Sequence, residues 1–210
     1  LSREVTGGIP LDWFCTHTPL NGLREPVAAL YRRQWRELRR GFREAGYTLA
    51  LADSDIPQEE LEKYKLIVVP SFEFMGKGLQ KRLLIHALKG GTIVLGPRVP
   101  VLDEYMEPYS KFSTHLHQPI GYADEFNYNG MLLQRVDFFK SQHPFMQSGE
   151  KTCAYERALE RGAIIFLGFV FQDYTGIERA PHVADIARRL CERAGIERRF
   201  PTDDPLVETV

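Results

Sequence analysis

Residues 64–103 constrain the fold of this chain more than any other segment, because they predict two buried strands joined by a helix. Residues 66–69 form an unbroken apolar run, which is typical of a strand buried on both faces of a sheet. Apolar residues then recur at helical spacing over 79–88, and Gly90-Gly91 ends that helix. Residues 92–95 are a second apolar run. This order predicts a right-handed crossover within a parallel sheet.

Similar patterns continue on both sides of this segment. Pro26 suits the first turn of a helix, and apolar residues at helical spacing extend that helix to residue 45. Residues 163–171 are the longest apolar run and predict another central strand, and Pro181 begins a last amphipathic helix. Weaker patterns predict further short elements, namely strands at 11–18, 48–52, 131–139 and 152–155 and an acidic helix at 58–63.

Strands that alternate with helices are typical of an α/β domain. We therefore expect an open, mostly parallel, flavodoxin-like sheet of about five to six strands, with helices on both faces. Residues 11–200 would form this domain, preceded by a linker at 1–10 and followed by an exit segment at 201–210. Residues 105–129 have no clear period and predict a long, aromatic-rich loop that covers part of the domain or contacts a partner.

Charge and cysteine content narrow the classes of partner. A formal net charge of −1 gives no overall attraction to nucleic acid, and no apolar run approaches the roughly 20 residues of a membrane span. The arginine-rich face of the first helix also carries Glu37 and Glu44, which indicates a solvated face. Three cysteines without metal-ligand spacing argue against a disulfide framework or a zinc site. We expect a cytoplasmic protein with no cofactor, no metal and no nucleic-acid or membrane partner.

The sequence offers few candidates for catalysis. Cys15 and His17 would follow the first strand two residues apart, so their side chains share a face and could form a thiol–imidazole pair. A buried cysteine beside a hydrogen-bonded histidine explains the same pattern. Glu73 follows a predicted strand, but glycoside hydrolysis requires two carboxylates, and Asp103-Glu104 is a candidate for the second only by position. His115 and His117 have the spacing of paired metal ligands on a strand, although no third ligand follows.

Two stretches of the chain carry short motifs that can be compared with a known family. The first is Tyr64-Lys-Leu-Ile-Val-Val-Pro with its helix and Gly90-Gly-Thr-Ile-Val-Leu-Gly-Pro-Arg. The second is Gly162-Ala-Ile-Ile-Phe-Leu-Gly, the helix leading to Ala194-Gly-Ile, and the tail Pro205-Leu-Val-Glu-Thr-Val. Together they resemble the middle, trimerisation domain of bacterial β-galactosidases of glycoside hydrolase family 42. That resemblance implies a class I glutamine-amidotransferase-like α/β fold.

The resemblance also implies that catalysis takes place elsewhere. Amidotransferases of this fold carry a catalytic cysteine after the strand that corresponds to 92–95, where this chain has Gly96-Pro97-Arg98. Their His-x-Glu pair is not apparent near residues 173–181. The catalytic glutamates of family 42 belong to a separate (β/α)₈ barrel, which needs about 250 residues. We therefore expect a non-catalytic homo-oligomerisation domain, as in a trimer, beside a catalytic barrel, with a galactoside bound at a domain junction.

Two alternatives stay open at the level of sequence. One is a small self-contained hydrolase of the same fold that uses Cys15 or Glu73. The other is a sugar-binding domain in which the aromatic residues Trp13, Phe72 and Phe74 stack on a sugar ring.

Overall fold

The structure is a computed structural model that describes residues 27–173 and 181–197. That part of the chain contains four helices and eight strands. In chain order they are α1 (Val27–Glu44), α2 (Gln58–Leu61), β1 (Leu66–Ser71), α3 (Lys77–Leu88), β2 (Thr92–Pro97), β3 (Gly121–Tyr128), β4 (Met131–Phe138), β5 (Pro144–Ser148), β6 (Lys151–Ala158), β7 (Ala163–Leu167), β8 (Val170–Phe171) and α4 (Pro181–Arg193). No helix within these residues is long and apolar enough to cross a membrane.

Two sheets organise these elements. The larger has the strand order β1-β2-β7-β6-β5, in which β1, β2 and β7 are parallel while β6 and β5 complete the sheet in antiparallel fashion. The smaller sheet has the order β3-β4-β8 and is antiparallel throughout. The fold is therefore mixed α/β, with a mostly parallel five-stranded sheet and a separate antiparallel sheet. The predicted strand–helix–strand unit is confirmed as β1, α3 and β2. The predicted full burial holds for β2 but not for β1, which is an edge strand of the described sheet with residues 66–69 only half-buried.

Helices cover both faces of the larger sheet, as the sequence predicts. In β2, Ile93 and Leu95 belong to the core that includes α3. Val94 points the other way, into the core formed with α1, α4 and the smaller sheet. The residues of β7 alternate in the same manner. Since both faces of these strands are buried, neither strand needs polar residues, and each is an unbroken apolar run in the sequence.

The apolar run at residues 163–171 is not one strand, which corrects the prediction. It divides at Gly168 into β7, which lies in the larger sheet, and β8, which pairs with β4 of the smaller one. The Gly168 N–H donates to the Cys153 carbonyl at 2.9 Å, and its own carbonyl accepts from the Asp137 N–H at 2.7 Å. One segment thus contributes a strand to each sheet. Hydrophobicity cannot locate that change, because both halves are buried.

Other predictions at the surface are also wrong. Residues 48–52 form no strand, since Leu49 and Leu51 are exposed and give the segment no buried face. Residues 121–128 form β3 rather than loop, and β5 was not predicted. β3 pairs only with β4 and is largely exposed, so it lacks the apolar pattern of a central strand. The predictions for 1–10, 11–18 and 201–210 lie outside the described residues.

The arginine-rich face of α1 is not simply solvated. Glu37 is buried in α1, and Arg36 donates to its carboxylate at 3.0 Å and to Asp173 at 2.7 Å. Gln34 is also buried, and it donates to the Phe169 carbonyl at 3.2 Å and accepts from the Phe171 N–H at 3.0 Å. Through Gln34, the buried face of α1 therefore holds the segment that passes between the two sheets.

The turn before β7 approaches the end of α3 so closely that it requires glycine. A Cβ atom on Gly162 would lie 2.1 Å from the Gly91 carbonyl oxygen and 2.4 Å from that of Ala87. We predict that Gly162→Ala lowers the free energy of unfolding by about 1–3 kcal/mol, because backbone must move. Gly78→Ala is the matched control, since its Cβ would meet only the guanidinium of Arg82, at 3.2 Å, and alanine favours helix. Chemical denaturation measures both, and equal stability of the two variants would contradict the close approach.

The folding stability depends on pH through His86. Its ring is buried against Gly91, its Nε2 has no hydrogen-bond partner, and burial lowers its pKa below 6.5 although Glu62 opposes that shift. The unfolded chain therefore binds a proton more readily, and stability falls as pH drops below about 6.5.

We predict that His86→Gln flattens the pH dependence of stability between pH 5 and 7.5. His143→Gln, at an exposed histidine, serves as the control and should leave the dependence unchanged. Thermal unfolding across this range measures the effect. A slope that survives His86→Gln would assign the dependence to another group.

Candidate functional site

The carboxyl ends of the three parallel strands meet at one edge of the larger sheet. β1, β2 and β7 end there at Ser71, Pro97 and Leu167. Ligands of open α/β sheets bind at this edge. It is also where the amidotransferase resemblance would place a nucleophile, next to Gly96.

Backbone atoms fill this position. Gly96 has a φ of 140°, and a Cβ atom on it would lie 2.1 Å from the Leu167 carbonyl oxygen of β7. The nearby Ser71 hydroxyl is buried, donates to the Arg98 carbonyl at 2.8 Å and accepts from the Gly96 N–H at 2.9 Å. The hydroxyl thus joins the ends of β1 and β2. There is no room for a side chain at residue 96, and the adjacent serine is engaged in structural hydrogen bonds.

An ion pair continues from this edge to the smaller sheet. The Arg98 guanidinium, just beyond β2, pairs with the carboxylate of Asp137 on β4. Burial raises the pKa of Asp137, and Arg98 opposes that shift only in part. The Asp137 N–H also donates to the Gly168 carbonyl. Arg98 and Asp137 therefore join the two sheets.

Glu73 lies in the loop after β1, where its side chain is buried. Its carbonyl accepts hydrogen bonds from the Val101 N–H at 2.9 Å and the Leu102 N–H at 2.8 Å, so its backbone holds the loop after β2. A catalytic role for Glu73 stays a prediction. Phe72 and Phe74 are buried as well. The hypothesis that these two rings stack on a sugar is wrong, because neither presents a face to solvent.

Of the remaining candidates, only His115 and His117 lie within the described residues. Cys15, His17 and Trp13 lie outside the described residues, as do residues 174–180. His115 and His117 lie in an irregular segment rather than on a strand, and the His117 ring packs against Tyr155 with centroids 4.8 Å apart. Residues 27–173 and 181–197 contain no group of three or more His, Cys, Asp or Glu placed to hold a metal ion.

The two cysteines within the described residues are not activated nucleophiles. Cys153 and Cys191 are both buried, and burial raises the pKa of each thiol to about 12. Each is therefore protonated at neutral pH, whereas the nucleophilic form of cysteine is the thiolate.

A turn that sequence reasoning missed stands beside this edge. Residues 103–107, here called the Asp103 turn, follow β2 and are organised by the fully buried carboxylate of Asp103. Oδ1 accepts from the N–H groups of Tyr105 at 2.8 Å and Glu107 at 2.9 Å, and Oδ2 lies 2.7 Å from the Lys77 ammonium. Burial acts to raise the pKa of Asp103, but Lys77 and the two N–H groups outweigh it and lower the pKa. The carboxylate therefore remains charged at neutral pH.

A second acidic residue connects the turn to α3. The Glu104 carboxylate accepts from the Lys77 N–H at 2.8 Å, and this N–H belongs to the first turn of α3, where backbone donors lack partners within the helix. Asp103 and Glu104 thus both bind Lys77, one through its ammonium and the other through its backbone. The neighbouring pair Asp103-Glu104 was the available sequence signal, but nothing in it identifies Lys77 as the partner.

The tip of the Asp103 turn is apolar and exposed. Tyr105 is 75% exposed and Met106 is 40% exposed. The prediction of a long loop at 105–129 is wrong for residues 121–128, which are strand, and Phe112 is fully buried. Ile120 and Tyr122 are exposed like Tyr105, and a contact role for this stretch stays a prediction.

These features define a mixed α/β domain whose sheet edge is closed by its own backbone and whose Asp103 turn is held by a buried carboxylate. Comparison with known families is consistent with such a domain: the chain belongs to the family described as "GLMA-like, second domain", which matches residues 20–151, more than half of its 210 residues.

Relatives with assigned activities are much longer than this chain. It is 29% identical over 154 residues to the β-1,2-glucosyltransferase of Ignavibacterium album, which covers 67% of this chain and 21% of that protein. It is 27% identical over 171 residues to the exo-β-D-glucosaminidase of Thermococcus kodakarensis, covering 72% of this chain and 21% of the relative. The chain therefore spans about a fifth of the length of these relatives.

Solved structures support the resemblance at the level of fold. Gan42B, a GH42 β-galactosidase of G. stearothermophilus, matches 90% of this chain with a TM-score of 0.57 and 15% identity. The match covers 29% of the Gan42B chain. The similarity to family 42 is thus similarity to one part of a larger protein.

We predict that Asp103→Asn lowers the melting temperature at pH 7 and that this loss shrinks as the pH falls below about 3.8. The pKa of Asp103 is lowered by folding, so its stabilising effect is present above the unfolded-state value and disappears as the folded carboxylate is protonated. Glu107→Gln is the control, because that carboxylate is exposed and lies 3.7 Å from Lys77. If both variants melt at the same temperature at pH 7, the buried carboxylate does not organise the turn.

Proposed function

We propose that this chain is a non-catalytic oligomerisation or scaffold domain of a longer β-galactosidase-like glycoside hydrolase, whose catalytic barrel lies outside these residues. The observation that carries the proposal is that backbone atoms fill the carboxyl edge of the parallel strands. Where a nucleophile would be needed, Gly96 lies against the Leu167 carbonyl and Ser71 is hydrogen-bonded to backbone on both sides. A domain of this construction has a structural role at the edge where related folds bind ligands.

The relatives support a parent protein that processes sugars. One is named a glucosyltransferase and another a glucosaminidase, and the structural neighbour is a β-galactosidase. The domain would have the flavodoxin-like, class I amidotransferase-like form of the α/β fold. Helices on both faces and the crossover through α3 support this form.

The proposal extends to assembly and location. The domain would form a homo-oligomer, as in a trimer, with a galactoside bound at a junction with the barrel. The exposed Tyr105 and Met106 support a contact role, because tyrosine and methionine are enriched in interfaces. A cytoplasmic location is supported by the free thiols of Cys153 and Cys191.

Activity assays of two proteins test this function. We predict that the longer polypeptide hydrolyses chromogenic β-galactosides or β-glucosaminides, while residues 1–210 alone hydrolyse neither. Light scattering of both proteins measures assembly. Hydrolysis by residues 1–210 alone would contradict the proposal and favour the self-contained hydrolase.

A variant of Glu73 separates the alternatives further. In the longer polypeptide, Glu73→Gln should leave kcat within about threefold of the wild type, because a residue without a chemical role carries no transition-state stabilisation. A loss of about a thousandfold or more, with an unchanged melting temperature, would instead make Glu73 catalytic.

A further inference from the structure

We infer that the Asp103 turn is a docking element for another folded domain of the same longer polypeptide, with Tyr105 and Met106 as its anchors. This inference rests on the proposed function, because it names the partner that a scaffold domain would contact. The turn is distinguished by the combination of an exposed apolar tip and a fully buried charged base.

The turn is held in one conformation before any partner arrives. Besides the carboxylate of Asp103, backbone hydrogen bonds close it: the Asp103 N–H donates to the Glu107 carbonyl at 2.9 Å, and the Met106 N–H donates to the Asp103 carbonyl at 3.2 Å. Leu102 and Pro108 form a bridge across its base. A loop that is already ordered loses little conformational freedom on binding, which favours affinity.

The conformation of Met106 supports a role for the tip. Met106 has a φ of 67°, a left-handed conformation that residues other than glycine and asparagine rarely adopt. A flexible methionine beside a tyrosine fits an irregular apolar pocket, and both residue types are enriched in interface cores. Leu51 is similarly exposed, at 68%, but belongs to a segment without regular structure, and single exposed apolar residues are common.

The charges of the turn disfavour a two-fold contact of the turn with itself and favour a surface that carries basic residues. Lys77 pairs with Asp103 at 2.7 Å and more distantly with Glu107 at 3.7 Å, while Glu104 is bound to the backbone of α3. One cation thus faces three carboxylates, and Glu107 is the exposed one, with 70% of its side chain accessible. A symmetric contact between two copies of the turn would bring one Glu107 towards the other, and like charges repel. The complementary surface is an apolar pocket with an arginine or lysine at its rim.

In the relatives, the polypeptide outside this domain is available to supply such a surface. The matched segments cover 21% of the glucosyltransferase and of the glucosaminidase from Thermococcus kodakarensis, so most of each relative is polypeptide outside this domain. Tyr105 also stands beside the edge at which β1 and β2 end. A neighbouring domain seated there would cover the tip and the strand ends together.

Photo-crosslinking in the longer polypeptide tests the inference. Tyr105→p-benzoylphenylalanine should form crosslinks, on irradiation, to peptides outside residues 1–210. Leu51→p-benzoylphenylalanine is the matched control and should give at least about fivefold less of those products, because docked anchors lie at the buried centre of an interface. Mixing isotope-labelled with unlabelled copies shows whether the captured domain belongs to the same or a neighbouring molecule. Crosslinks to residues 1–210 of a second copy, or none above the Leu51 control, would overturn the inference.

A second variant tests whether the buried charge is needed. Lys77→Met keeps Tyr105 but removes the ion pair with Asp103, so it should reduce the crosslink yield by at least about threefold, since a loosened turn must be ordered on docking. An unchanged yield would overturn the role of rigid presentation. The crosslink is read independently of hydrolysis. Activity of residues 1–210 alone would refute the proposed function, while an absent crosslink with an inactive isolated domain would refute only the docking role.

Discussion

Burial of β2 and β7 on both faces is the constraint on which the rest of this structure depends. All six residues of β2 are buried, and its successive side chains enter two separate cores. Each face must therefore be covered, one by α3 and the other by α1, α4 and the smaller sheet. This arrangement leaves little space between elements. Gly162 and Gly96 occur where one backbone lies directly against another, so the close packing that stabilises the sheet also closes its functional edge.

Sequence patterns predicted the elements that this burial determines. The crossover through α3, the helix ending at Glu44 and the helix beginning at Pro181 are all confirmed. The errors occur where the hydrophobicity of a segment does not indicate which neighbour it packs against. β3 is exposed and therefore lacks an apolar pattern, and Gly168 divides an apolar run whose two halves are buried in different sheets. Periodicity reports how a segment is buried, but it does not report which neighbour buries it.

The candidate site also contains one feature that the sequence predicts and one that it does not. The absence of a nucleophile could be inferred from Gly96-Pro97-Arg98, and the structure adds the reason, since β7 occupies the space. The Asp103 turn could not be inferred, because its base depends on Lys77, 26 positions earlier, and on backbone N–H groups that no pattern displays. A buried acid with several partners is recognisable only once the chain has folded. Charged residues that stabilise loops are therefore easily mistaken in sequence for catalytic ones.

Because residues 163–171 contribute a strand to each sheet, the two sheets are connected directly through the backbone. A force that pulls on β8 is transmitted through Gly168 to β7, at the centre of the larger sheet, without passing through any side-chain contact. Arg98 and Asp137 connect the same two layers a second time. A domain that has to hold larger neighbours in fixed positions benefits from such a continuous backbone connection, since a load applied at its surface is carried directly to the central strand of its larger sheet.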